Sequence, residues 1–261
     1  MIELYTHPMS PCAQKVRILL AEKGLHWTAR HVDLAEKENL SPDYLKLNPL
    51  GVVPTLVDAG KVVIESSIIC EYLDDAYPQT GFRPEDAHST AKMRFWMKHV
   101  DNKLHPSCGA IQWPMVMRPA MMEKSPEERE ALLEKIPEKP RRERQRRLVE
   151  KGLDAPDVAD AVKTYRKTIK DMEKDLADQD WLLGADISLA DICLIPYFQT
   201  LLQFEWTGLY EDCPNVQRWT EKWFVRPSFV EAVTADFAPE KLAQCSRDGQ
   251  AAWPKIKSYS D

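Results

Sequence analysis

The sequence has few glycines, no long apolar run and no large excess of charge of either sign. Its 261 residues include 9 glycines and 19 prolines, with 35 Lys and Arg against 41 Asp and Glu. A formal net charge of −6 on a chain of this length argues against a general nucleic-acid binder. The charge-free apolar stretch at residues 192–204 has 13 residues, whereas a membrane span needs about 18 or more. With 44% hydrophobic residues, we expect a soluble protein of two domains.

Cysteine and histidine are present, but not at the spacings of a disulfide framework or a metal site. The six cysteines form no Cys-x-x-Cys pair, and the six histidines form no His-x-x-x-His pair. The first residues also lack the basic and apolar pattern of a secretory leader. We therefore expect free thiols, a cytoplasmic protein and no bound metal.

The first 77 residues alternate short apolar strands with amphipathic helices. Hydrophobic periodicity predicts helices at 10–23, after Ser41 and at 65–76, and strands at 2–5, 26–33, 52–57 and 62–64. The order βαβαββα predicts an α/β domain with a mixed sheet over residues 1–77. Residues 78–87 contain two prolines and a glycine without periodicity, which is typical of a linker.

The remaining residues, 88–261, are predicted to form an all-helical domain. Ser125-Pro126-Glu127-Glu128 and Ser188-Leu189-Ala190-Asp191 each place a carboxylate three residues after a serine, a pattern that starts helices. Lys139 to Arg147 holds six basic residues in nine. Acidic residues lie just upstream of this run, so a salt-bridged helical hairpin is favoured over a nucleic-acid site.

A serine stands at the predicted start of the first helix, in Ser10-Pro11-Cys12. A hydroxyl there lies among free backbone amides at the positive end of the helix dipole, where an anion is stabilised. A thiol with a pKa near 8.5 is only about 3% ionised at pH 7, and lowering that pKa by about two units requires about 2.7 kcal/mol. One charge-assisted hydrogen bond plus the dipole supplies about that much. From the residues alone, Ser10 is either a donor to a bound thiolate or only a helix cap, since Ser-Pro recurs at Ser41 and Ser125.

Two further segments carry groups that suit a peptide-like ligand. A cis bond between Val53 and Pro54 would leave the Val53 backbone free to pair with an extended ligand. Glu65 and Ser66 begin a helix, where the hydroxyl and the amides suit a ligand carboxylate and Glu65 suits an ammonium group. The plainer interpretations are a proline at a strand edge and another helix cap.

These motifs in this order resemble the glutathione transferase superfamily. The quoted pattern is a strand, Ser-Pro-Cys, a helix, Asn-Pro-x-Gly-x-Val-Pro-x-Leu, a hairpin and Glu-Ser-x-x-Ile-x-x-Tyr-Leu. The resemblance implies a thioredoxin-like domain, an all-helical domain, glutathione as co-substrate and a homodimer. It also implies that Ser10 activates the glutathione thiol and that Val53 and Pro54 hold the cysteinyl part.

The same resemblance implies residues for the two ends of glutathione. Glu65 and Ser66 would hold the γ-glutamyl part, together with Asp101, which in many relatives reaches across the dimer. Leu40 stands where some classes keep a lysine for the glycyl carboxylate, which leaves Lys37 and Lys46 as substitutes for that contact.

The start of the helical domain is similar to one branch, the bacterial glutathione-dependent β-etherases. The similarity rests on residues 92–101, a long insertion with an arginine run, and Gly152. Those enzymes cleave aryl ethers by thiolate attack and loss of a phenolate. The resemblance implies an inserted helical segment at about 106–155 and a C-terminal tail at 238–261. A hydrophobic, aromatic substrate is expected in the cleft between the domains. Its candidate lining residues, which also have a plain core interpretation, are Met9, Trp96, His99, Ile111, Trp113, Met115, Phe204 and Trp206.

Two other functions stay open from the sequence. Thiol-transferring relatives have cysteine where Ser10 stands, and its absence at position 10 disfavours a disulfide reductase. A reductase that uses Cys12, two residues deeper in the helix, is one alternative. A non-catalytic binding protein that keeps the fold as a scaffold is the other. For the transferase, the expected partners are glutathione and a small hydrophobic, aromatic molecule, with no nucleic acid and no membrane. Failure to bind glutathione would favour the scaffold.

Overall fold

The computed structural model describes residues 1–260, and its N-terminal part has the predicted βαβαββα order. The four strands form one sheet in the order β2-β1-β3-β4, in which β1 is parallel to β2 and antiparallel to β3, and β3 is antiparallel to β4. The predicted mixed sheet is thus confirmed. The elements are β1 (Ile2–Thr6), α1 (Pro11–Glu22), β2 (Trp27–His31), α2 (Pro42–Leu47), β3 (Thr55–Asp58), β4 (Lys61–Ile64) and α3 (Ser66–Ala76).

After a segment without helix or strand at 78–86, the described chain is helical, as predicted. None of the helices within residues 1–260 has the length and apolar character to cross a membrane. The helices are α4 (Ala87–His99), a π-helical turn (Val100–Leu104), α5 (His105–Val116), α6 (Arg118–Met122), α7 (Pro126–Glu134), α8 (Lys139–Lys151), α9 (Pro156–Asp175), α10 (Leu189–Gln203), α11 (Pro214–Phe224), α12 (Pro227–Ala232) and α13 (Pro239–Lys257).

The chain divides into two compact units, each assembled from separate stretches of sequence. The first unit holds residues 1–101, 175–196 and 217–237. The second holds residues 102–174 and 197–216 and the chain from Ala238 onward. In the first unit the sheet packs its apolar face against helices, and Leu4 of β1 and Leu56 of β3 have no exposed surface.

In the second unit, the stretch expected to be a tail is an ordered helix. One face of α13 is buried, with Cys245, Gly249 and Ala252 at helical spacing. Trp206 Nε1 donates to the Gly249 carbonyl over 2.9 Å, and a Cβ at position 249 would lie 2.0 Å from the Phe204 carbonyl oxygen. Only glycine therefore allows this close approach of α13.

The predicted helix starts and the acidic–basic hairpin are both present. Ser125 Oγ accepts from the Glu128 amide (3.2 Å), and Glu128 Oε2 accepts from the Ser125 amide (2.8 Å), which forms a capping box. Arg142 of α8 pairs with Glu134 of α7 at 2.7 Å, and Arg146 pairs with the same carboxylate at 3.3 Å. Two of the six basic residues in the run, Arg142 and Arg146, are thus paired with the preceding helix.

Candidate functional site

Ser10 is the N-cap of α1 and its oxygen is engaged with the helix. The side-chain Oγ accepts from the Ala13 amide over 3.3 Å, and Pro11 occupies the first helical turn. Because Ser10 Oγ is the acceptor in this bond, the hydroxyl proton is not used in it. That proton is donated to no acceptor within residues 1–260. The first turn also holds no acidic side chain. A half-buried hydroxyl donor thus stands at the positive end of a 12-residue helix.

The loop that carries Ser10 is fixed by Arg17, whose role the sequence analysis missed. Only 1% of Arg17 is exposed. Its guanidinium donates to the side chain of Thr6 (2.9 Å) and to the carbonyls of His7 (3.2 Å), Pro8 (3.2 Å) and Ala232 (2.7 Å). Burial lowers the pKa of Arg17 to about 10, and Asp236 opposes this shift. The end of β1 and the start of α1 are therefore held by one charged group.

The Val53–Pro54 peptide bond is cis, which is the first of the two geometries left open by the sequence. Both residues are buried. The chain just before them is fixed because the Val52 carbonyl accepts from Tyr44 Oη (2.7 Å) and Asn48 Nδ2 (2.9 Å). The backbone amide and carbonyl of Val53 itself take part in none of the hydrogen bonds within residues 1–260. They are available to an extended ligand.

Glu65 and Ser66 begin α3, as predicted, with different environments. Glu65 is exposed, has a φ of 68°, and makes no side-chain hydrogen bond to the helix. That left-handed conformation is uncommon for a residue with a Cβ and is typical of functional sites. Ser66 is only 6% exposed and lies in the first turn of α3.

Behind Ser66 lies an ion pair that the sequence analysis did not anticipate. Lys15 of α1 has no exposed side-chain surface, and its Nζ lies 2.9 Å from Oδ1 of Asp101 in the π-helical turn. The same Nζ contacts Ser66 Oγ at 3.2 Å and Ser67 Oγ at 3.4 Å. Asp101, predicted to reach towards a partner chain, is thus also bound within its own chain. Its side chain is 39% exposed.

The two candidate lysines for the glycyl carboxylate occupy different settings. Lys37 is half-buried, has a φ of 61° and precedes a short 3₁₀ turn. Lys46 lies on the surface of α2 and pairs with Asp43 at 2.7 Å, with 75% of its side chain exposed. The role of each lysine stays a prediction.

The candidate substrate residues divide by burial. Ile111, Phe204 and Trp206 are at most 1% exposed, so they fill the core of the second unit rather than line an open pocket. Phe204 and Trp206 stack with ring centroids 4.8 Å apart. Trp113 and Met115 of α5 are half-buried, and Trp113 packs against the cluster of Met121, Leu133, Ile136 and Val149.

Three candidate substrate residues lie in the first unit. Trp96 is 6% exposed and donates from Nε1 to Asp175 over 3.0 Å. The half-buried His99 ring packs edge-on against the Trp96 ring, with the two ring centroids 5.7 Å apart. Met9, beside Ser10 in the chain, is also half-buried.

The remaining nucleophile, Cys12, is half-buried in the first turn of α1. All six cysteines are free thiols. Within residues 1–260 no group of three or more His, Cys, Asp or Glu side chains is arranged to hold a metal ion.

Comparison with known proteins gives the same two-part organisation. The model described as "Glutathione S-transferase, N-terminal domain" matches residues 9–76, and that of the C-terminal domain matches residues 109–227. Protein LigF of Sphingobium sp. strain SYK-6 is 31% identical over 88% of this chain and 92% of its own length. Glutathione S-transferase 3 of Zea mays is 29% identical over 90% of this chain and 94% of its own length.

Solved structures agree with these sequence matches. The crystal structure of β-etherase LigF from Sphingobium sp. strain SYK-6 has a TM-score of 0.79 at 29% identity, covering 88% of this chain and 98% of its own. A glutathione transferase from Burkholderia graminis, with two glutathione molecules bound per subunit, has a TM-score of 0.69 at 25% identity. It covers 88% of this chain and 86% of its own.

Proposed function

The chain belongs to the glutathione S-transferase family, and from that premise we propose that Ser10 activates glutathione for attack on an apolar aromatic electrophile. Glutathione is the co-substrate. The observation that carries the proposal is the direction of the hydrogen bond at Ser10. Its Oγ accepts from the Ala13 amide over 3.3 Å, so the hydroxyl proton remains available to a ligand. That proton can be donated to a sulfur anion at the start of α1.

In this mechanism the thiol loses its proton to solvent and the anion is held by Ser10 Oγ–H and the helix dipole. A gain of about 2.7 kcal/mol lowers the thiol pKa by about two units and raises the thiolate fraction at pH 7 from about 3% to about 75%. The sulfur then forms a bond to an electrophilic carbon of the substrate. For an aryl ether, the carbon–oxygen bond breaks and the phenolate leaves with the electron pair, to be protonated by water. The protein contributes position and anion stabilisation.

The rest of glutathione is proposed to lie along the adjoining residues. The unpaired backbone of Val53, beside the cis bond to Pro54, pairs with the cysteinyl part. Ser66 receives the γ-glutamyl carboxylate and the exposed Glu65 receives its ammonium group. In each assignment a donor faces an acceptor. The Val53 amide and carbonyl face a ligand peptide group, the Ser66 hydroxyl faces a carboxylate, and the Glu65 carboxylate faces an ammonium group.

The electrophile class is proposed from the relatives together with the chain's own residues. LigF, whose solved structure is titled a β-etherase, is 31% identical over 88% of this chain. In the first unit Met9 and His99 are half-buried, and in the second unit Trp113 and Met115 are half-buried. Each is a side chain that suits contact with an aromatic ring. The direct test is a panel of electrophiles with glutathione that includes a β-aryl ether. Release of a phenol and formation of its glutathione thioether support ether cleavage. If the other electrophiles are conjugated to glutathione and no phenol is released, the transferase activity stands and ether cleavage is excluded.

We also propose that two copies of the chain form a homodimer through α3 and α4. Ile68 of α3 is 57% exposed and Phe95 of α4 is 71% exposed, which is unusual for such large apolar groups. Arg94 of α4 donates to Glu71 of α3 over 2.7 Å, which places the two helices side by side. A second copy that covers these residues would remove their apolar surface from water.

A disulfide reductase that uses Cys12 is the second candidate. Cys12 is a half-buried thiol in the first turn of α1, where thiolates are stabilised. Reduction of a mixed disulfide that survives Ser10→Ala but is lost in Cys12→Ala supports this activity. The opposite pattern assigns the chemistry to Ser10.

A further inference from the structure

The ammonium group of Lys15 is fully buried and all three of its protons are used. Nζ donates to Asp101 Oδ1 at 2.9 Å, to Ser66 Oγ at 3.2 Å and to Ser67 Oγ at 3.4 Å. Burial by itself lowers the pKa of Lys15, but Cys12, Cys193 and Asp101 outweigh that effect and raise it. A positive charge therefore lies one hydrogen bond behind the first turn of α3.

This contact fixes the direction of the Ser66 hydroxyl. An ammonium group has donors only, so Ser66 Oγ is the acceptor in the pair with Lys15. The neighbouring Ser67 uses its own proton to donate to Asp101 Oδ1 over 2.9 Å. The Ser66 proton, in contrast, has no acceptor within residues 1–260. Of the two hydroxyls on Lys15, Ser66 alone has a proton left for a ligand.

We propose that Lys15 is a positioning residue for the γ-glutamyl α-carboxylate of glutathione, acting through Ser66. Lys15 donates to one of the two lone pairs of Ser66 Oγ, which turns the O–H away from Lys15 and towards the ligand. The positive charge behind the hydroxyl also polarises it and strengthens it as a donor. The inference rests on the proposed function, since it presumes that glutathione lies against α3. It adds selectivity to that function: the free O–H of Ser66 favours a ligand group that accepts a hydrogen bond, and the positive charge of Lys15, 3.2 Å behind Ser66 Oγ, disfavours an ammonium group there.

A purely structural role for Lys15 is the competing account, because the ion pair also joins α1, α3 and the π-helical turn. The two accounts differ in what happens to ligand selectivity. A structural role affects every ligand that binds the folded protein. A positioning role affects only ligands that carry the carboxylate.

The test compares glutathione with 4-aminobutyryl-cysteinyl-glycine, which lacks only the α-carboxylate of the γ-glutamyl group. Dissociation constants for both are measured by calorimetry on the wild-type chain, Lys15→Met and the matched control Ser67→Ala. In Lys15→Met we expect glutathione to bind about tenfold more weakly and the analogue to be nearly unaffected, since the hydrogen bond from Ser66 to the charged carboxylate loses its orientation and most of its strength. In Ser67→Ala the preference for glutathione is retained, because the contact between Lys15 and Ser66 is untouched.

The outcomes separate this inference from the proposed function. Equal weakening of both ligands in Lys15→Met, or no weakening of either, overturns the positioning role while glutathione binding stands. A wild-type chain that binds neither ligand overturns the proposed function first and the inference with it. If Lys15→Met does not fold, Lys15→Met/Asp101→Asn removes both charges together, which avoids an unpaired carboxylate. The same loss of carboxylate preference is expected in the double variant.

Discussion

Trp219 Nε1 donates a hydrogen bond of 2.9 Å to Asp191 Oδ1, and neither residue has more than 1% of its surface exposed. The same carboxylate accepts from the Leu182 amide (3.0 Å), the Ser188 amide (3.0 Å) and the Ser188 hydroxyl (2.8 Å). One buried acid thus joins the segment before α10, the start of α10 and α11. The Ser188 hydroxyl thus donates to Asp191 Oδ2, whereas the Ser125 hydroxyl oxygen accepts from the Glu128 amide at the start of α7.

Replacing Asp191 by alanine should therefore destabilise the protein strongly. Four buried donors would lose their acceptor, and each unsatisfied buried group costs about 1–3 kcal/mol. We expect Asp191→Ala to reduce the free energy of unfolding by at least about 3 kcal/mol, measured by urea denaturation. The control Asp180→Ala removes an exposed carboxylate paired with Lys222 and should cost at most about 1 kcal/mol. Equal effects of the two substitutions would contradict the role of Asp191.

His7 should make stability depend on pH near neutrality. Its Nδ1 accepts from the Met9 amide at 3.3 Å, which requires an unprotonated ring nitrogen. Burial is the main cause that lowers the pKa of His7 below 6.5, and Arg17 and His31 lower it further while Asp33 opposes them. The unfolded chain therefore takes up a proton at a higher pH than the folded chain, so the contribution is present above pH 6.5 and is lost as pH falls below it.

The measurement for His7 is the thermal unfolding midpoint at about pH 8 and about pH 5. The wild-type midpoint should fall more on acidification than that of His7→Gln, whose amide oxygen accepts the same hydrogen bond but does not titrate. All other titrating groups are shared by the two proteins, so the difference isolates His7. Parallel midpoints across this range would show that His7 contributes nothing to the pH dependence.

The exposed ring of Phe95 provides a test of the proposed dimer. Burying a phenylalanine side chain stabilises by about 1.5–3 kcal/mol, and a symmetric interface buries it twice. Phe95→Ser should therefore raise the dimer dissociation constant about a hundredfold or more, measured by size-exclusion chromatography with light scattering. Val225 is 78% exposed between α11 and α12, and Val225→Ser should leave the dimer intact. A wild-type chain that elutes as a monomer at high concentration would exclude this interface.

Local sequence signals were sufficient for the order of elements and for most helix starts. Ser10, Ser41 and Ser125, each followed by proline, do cap helices, because the cap hydrogen bond joins residues three apart. The cis bond at Pro54 was one of the geometries that the local sequence left open, and the family resemblance favoured it.

The features that the sequence analysis missed depend on residues far apart in the chain. Lys15 is buried because it meets Asp101, which is 86 positions away, and Arg17 meets Ala232, which is 215 positions away. Nothing in a helical pattern distinguishes such a residue from a solvated lysine or arginine. The helix α13 was missed for another reason: Cys245, Gly249 and Ala252 are small, so its buried face carries a weak hydrophobic signal.

The role of Ser10 is the centre of this account, and the pKa of the bound glutathione thiol tests it most directly. Ultraviolet absorbance of the thiolate is titrated against pH in the complex with the wild-type chain, with Ser10→Ala and with Ser125→Ala, which removes the corresponding serine–proline cap of α7. We predict a bound thiol pKa about two units below the free value of about 8.5 in the wild type and in Ser125→Ala, and most of that shift lost in Ser10→Ala. A wild-type pKa retained in Ser10→Ala, with glutathione still bound, would contradict the account.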